Sequence, residues 1–65
     1  MCQATVYLAQ DGQEKELMRD VVLLEPVDGG LRLQAFFEEP VTVHAQIERI
    51  DFLKNTVTLV PVSGK

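Results

Sequence analysis

Sixty-five residues with 46% hydrophobic and 25% charged side chains make one small globular domain rather than a disordered chain. A formal net charge of −4, from six basic and ten acidic residues, disfavours general affinity for phosphate backbones. A chain this short leaves no room for the βαβ units and Gly-rich turn of a dinucleotide fold.

The apolar residues repeat with a period of two. In Ala4-Thr5-Val6-Tyr7-Leu8-Ala9, the side chains of Ala4, Val6 and Leu8 share one face of a first strand. Asp11-Gly12 follows and suits a tight hairpin turn. A second strand returns through Glu16 to Arg19, bends near Asp20 and continues into Val21 to Glu25. Propensity alone would allow a helix over residues 13–24, but Val21-Val22-Leu23-Leu24 before Pro26 argues for extended chain. That apolar run is the longest in the chain, well short of the ~18 residues a transmembrane helix needs.

Asp28-Gly29-Gly30 is the next turn. Leu31, Leu33, Ala35 and Phe37 then alternate with Arg32, Gln34 and Phe36 in a third strand, ended by Glu38-Glu39-Pro40. Val41, Val43, Ala45 and Ile47 form the apolar face of a fourth strand. The phase slips by one residue before Ile50 and Phe52, as a β-bulge or sharp bend produces. Lys54-Asn55 turns the chain into a last strand carrying Val57 and Leu59, and residues 61–65 read as a frayed tail. The sum is an all-β domain over residues 1–65. It is a small, antiparallel, strongly bent, barrel-like meander of five to six short strands.

No basic region followed by an apolar core stands at the N-terminus, and the single cysteine cannot form an internal disulfide. Both point to a reducing cytoplasm. A chain of this size usually leans on a disulfide, a metal or a partner, so a metal or an oligomer is expected here.

Cys2 therefore stands out, and it admits two readings. One is a small buried apolar residue opening the first strand. The other begins with removal of Met1, which leaves an α-amine beside the thiol. Together these close a five-membered chelate ring around a metal. One chain then offers one sulfur and one nitrogen, and two chains about a two-fold axis offer two of each. A tetragonal N/S set of this kind suits Ni(II) or Cu(II), and the thiolates favour Ni(II) over hard ions. His44 falls on the polar phase of the fourth strand, as a solvent-facing histidine would. With no second His or Cys beside it, a four-ligand zinc site within one chain is excluded. Consecutive aromatics on a strand face opposite ways, so Phe36 is either a dimer contact or part of a barrel with both faces covered. Tyr7 carries the same alternatives. No nucleophile has a base and an orienting third group, and the domain reads as no enzyme.

The opening Met1-Cys2-Gln3-Ala4-Thr5-Val6-Tyr7-Leu8 resembles the start of the small CooT-like proteins. Asp20-Val21 before a bend, Asp28-Gly29-Gly30-Leu31-Arg32-Leu33, and residues 47–51 are similar to further family patterns. Phe36-Phe37-Glu38-Glu39 resembles the family's Leu-Phe-(Gly/Asp)-Glu element, with Phe36 in place of Leu. The resemblance covers nearly all of residues 1–60. It implies a nickel-binding homodimer that supports nickel supply to a carbon monoxide dehydrogenase, with Cys2 of each subunit as the ligand. His44 matches no family ligand. The family has also been labelled RNA-binding for its barrel shape. That alternative would use Arg32, Arg49 and Lys54, with Phe36 or Tyr7 stacking on bases. A metal-independent interaction module is the third reading.

Overall fold

The computed structural model describes residues 3–62. Six strands run in chain order: β1 (Ala4–Gln10), β2 (Gln13–Val27), β3 (Gly30–Ala35), β4 (Val41–Val43), β5 (Ala45–Asp51) and β6 (Thr56–Pro61). There is no helix among the described residues. The strands form a single curled sheet in the order β4-β3-β2-β1-β6-β5. The all-β, strongly bent, barrel-like architecture expected from the alternation is the one observed.

Turn chemistry sets the registers. Asp11 and Gly12 adopt φ of 56° and 76° and join β1 to β2 as a two-residue turn with both centres left-handed. Asp28-Gly29 joins β2 to β3, with Gly29 at φ 80°. The Asp51 carboxylate accepts hydrogen bonds from the backbone N–H groups of Leu53 (3.0 Å) and Lys54 (3.1 Å), which orders the loop from β5 to β6.

The 15 residues of β2 would span about 50 Å if straight. The longest dimension of the molecule is 37 Å, so the strand has to bend. It does so at Asp20, which adopts φ 59°. Register shifts opposite β1 between Ala4 and Tyr7, and opposite β3 between Val21 and Leu23, concentrate the bend there. The first half of β2 thus pairs with β1 and the second half with β3. A further shift between Ile47 and Arg49 on β5 is the slip expected from the sequence.

The core draws on every strand. Val6, Val21, Leu31, Leu33, Ala45, Val57 and Leu59 are buried, and Ala4, Leu8, Met18, Leu24 and Val43 pack against them. β4 and β5, the two edges of the sheet, are consecutive in sequence and separated by His44 alone. The sheet therefore has to curl until its edges meet at that corner. Gly30 sits inside the same corner, where a Cβ would collide with the carbonyl oxygen of Val43 and stand 3.2 Å from the His44 Cα. Gly30→Ala is expected to push β4 away from β3 and to destabilise the domain by about 1–3 kcal/mol. A urea melt with an unchanged midpoint would show that the corner can open without cost.

Five expectations are corrected. β1 and β6 pair in parallel, from Thr5↔Thr56 to Leu8↔Leu59, so the sheet is not wholly antiparallel. No crossover helix is needed, because the rest of the meander is itself the connection between these terminal strands. The third strand stops at Ala35, and neither Phe36 (46% exposed) nor Phe37 (91%) enters the core. The fourth strand breaks at His44 into β4 and β5, and of its apolar face only Ala45 is buried, while Val41 and Ile47 are exposed. Phe52 lies beyond the end of β5, in the loop. Of the expected tail, Pro61 pairs with Ala45 and the Val62 N–H donates to the His44 carbonyl at 3.2 Å. Residues 63–65 lie outside the described residues.

Candidate functional site

Cys2, the one metal ligand expected from the sequence, lies outside the described residues, one position before Gln3. The described chain starts at the mouth of an apolar cleft of about 270 Å³, lined on one side by Gln3 and Ala4 and on the other by Ile50, Phe52 and Val57. The Thr5 N–H donates to the Asn55 carbonyl at 3.0 Å and ties β1 to the loop between β5 and β6. That tie holds the start of β1 beside a loop whose apolar side chains face water: Phe52 is 83% exposed and Leu53 94%. Ile50, at the end of β5, is also exposed.

This apolar rim is the feature the sequence reading passed over. Its signal was present, because Phe52-Leu53 are two large apolar residues directly before a Lys-Asn turn, where polar residues are the rule. Alternation carried Phe52 into a strand and hid the anomaly.

The other candidates are dispersed. His44 is exposed at the corner between β4 and β5. Among the described residues no group of three or more His, Cys, Asp or Glu side chains could hold a metal. Tyr7 lies on the outer face of the sheet and lines a polar hollow of about 600 Å³ with Glu14, Arg49, Lys54 and Thr58. Arg49 and Lys54 are thus brought together, whereas Arg32 lies on β3, away from them in the sheet order.

Three of the cations already face carboxylates. Arg32 meets Glu25 at 2.8 Å, Arg19 meets Glu16 at 2.9 Å, and Arg49 meets Glu14 at 3.5 Å. The two-pronged hydrogen bonding from Arg19 holds the exposed Glu16 carboxyl below the usual carboxylate range.

Comparison with known proteins gives a family match and matches among solved structures. The family described as "CO dehydrogenase accessory protein CooT" matches residues 1–60. The fold is similar to the crystal structure of a candidate CooT from Carboxydothermus hydrogenoformans, with a TM-score of 0.84 and 23% identity, over 92% of this chain and 97% of that one. No curated protein matches the chain.

Proposed function

This chain belongs to the CooT family of CO dehydrogenase accessory proteins, and from that premise we propose that it is a nickel-binding homodimer that helps supply nickel to a CO dehydrogenase. Two copies hold one Ni(II) between them, each through Cys2. The accessory role makes the protein a carrier for another enzyme's metal rather than an enzyme, and the lone thiol suits a reducing cytoplasm.

The observation that carries this reading is the apolar rim at the start of β1. A soluble domain this small rarely leaves Phe52, Leu53 and Ile50 in water unless a partner covers them. If a second copy covers them, the two chain starts meet across a two-fold axis and the two Cys2 residues come within reach of one ion.

The donor chemistry fits the ion. Two thiolates, with two α-amines where Met1 is removed, form an N/S set that Ni(II) accepts. The described residues of one chain offer no competing cluster. The paired state of Arg19, Arg32 and Arg49 weighs against the RNA-binding alternative.

Nickel titration followed by thiolate-to-metal charge transfer tests the reading. The expected endpoint is one nickel per two chains, with no charge-transfer band in Cys2→Ser. One nickel per chain, or equal binding by the variant, would overturn the shared site.

A further inference from the structure

We propose that the Phe36–Phe37 tip is the surface by which this protein docks on the CO dehydrogenase it serves, entering an apolar socket rimmed by lysine and arginine; this rests on the accessory function above. Phe37 is 91% exposed, and its backbone sits at φ 64°. A bulky residue in the left-handed region is an outlier, since glycine or asparagine fits that conformation without strain. Folding alone would favour a small residue there, so the fold both strains the chain and leaves a large ring in water.

The tip is also held firmly. The Glu38 N–H donates to the Ala35 carbonyl at 3.1 Å and closes the turn. The Phe36 N–H donates to the Asp20 carbonyl at 2.9 Å, fastening the turn to the bend in β2. The Gln34 side-chain amide donates to the Glu38 carbonyl at 2.9 Å. The Phe36 and Phe37 rings lie 4.2 Å apart, tilted by 31°. Two stacked rings on a fixed turn are a preorganised anchor, losing little conformational freedom when they are buried by a partner.

Charge identifies the kind of partner. Glu38 and Glu39 follow the rings directly, both exposed, and among the described residues neither forms an ion pair. An apolar tip beside two free carboxylates complements a pocket edged with cations. A second copy of this chain is a poor host. Its apolar cleft is bordered by Asp51, which would face Glu38 and Glu39, and the proposed dimer contact already covers that cleft.

Binding of the full-length protein to purified CO dehydrogenase of the same organism, measured by biolayer interferometry at low and moderate salt, tests the proposal. Phe37→Gly suits the test because glycine relieves the positive φ, so its melting temperature should hold or rise. It is expected to weaken docking by at least about tenfold, with nickel stoichiometry and dimer mass unchanged. Glu38→Gln with Glu39→Gln should flatten the salt dependence. Full-strength docking by Phe37→Gly would overturn the tip while leaving the accessory reading intact. No binding by the wild type, with or without nickel, would overturn the choice of partner. Dissociation of the dimer in Phe37→Gly would assign the tip to the contact between copies and overturn the proposal too.

Discussion

Nickel is expected to raise the melting temperature of the wild-type protein and to leave that of Cys2→Ser unchanged, while both sediment as dimers without metal. A ligand that binds the folded dimer and not the unfolded chains stabilises it by RT ln(1 + [L]/Kd), about 2.7 kcal/mol per site at a hundredfold excess over Kd. For domains of this size each kcal/mol is worth roughly 4–8 °C, and the gain from a shared site is divided between two chains. Serine keeps the size of the side chain and removes the soft donor, so the dimer contacts persist and only the linkage disappears. The rise should also shrink from pH 8 to pH 6. Nickel has to displace protons from a thiol with an ordinary pKa near 8.5 and, where Met1 is removed, an amine near 7.7–8.0, and the protonated fraction competing with the metal grows as the pH falls. An equal rise in Cys2→Ser would place the nickel elsewhere. Dimerisation only on adding nickel would make the metal the agent of assembly and discard the preformed two-fold site.

The strands were legible because alternation is a direct record of a half-buried sheet. Val6, Leu33, Val57 and Leu59 are core residues in sequence and in structure. Asp11-Gly12, the bend at Asp20 and the slip after Ile47 were legible for local reasons, since each is fixed by a few neighbouring residues. The parallel contact of β1 with β6 was not, because it is set by how far the sheet curls, a property of no single segment. Phe36 and Phe37 continue the alternation of β3, which predicts strand. What stops the strand is the left-handed φ of Phe37, which its side chain gives no hint of. Of the candidate site, Cys2 is an expectation from chemistry and lies outside the described residues, whereas the rim beside Gln3 and Ala4 needed β5, the following loop and the start of β1 to be placed side by side.

The second large effect is expected from Ile50→Asp combined with Phe52→Asp, which should convert the metal-free dimer to monomer at micromolar concentration. Among the described residues eight apolar side chains are buried, a small core for a free-standing domain, and the largest apolar groups outside it include those of the loop after β5. A fully buried aromatic side chain removes roughly 150–250 Å² from water, each Å² contributing about 25 cal/mol. In a two-fold interface every substitution acts twice, so four carboxylates would enter a surface that has to be dry. An unpaired buried charge costs about 3–5 kcal/mol, and even one such cost corresponds to a dissociation constant at least a hundredfold weaker. Sedimentation equilibrium reads the mass directly, and far-UV circular dichroism reports whether the strands survive. The milder Phe52→Ser, which removes one ring and introduces no charge, should give a graded loss and separates dissociation from unfolding. Nickel binding should fall with the dimer, since a monomer brings a single sulfur to the ion. If the doubly charged variant remains a dimer, the contact lies elsewhere on the surface, Tyr7 and Phe36 return as its candidates, and the two Cys2 residues need another route to meet.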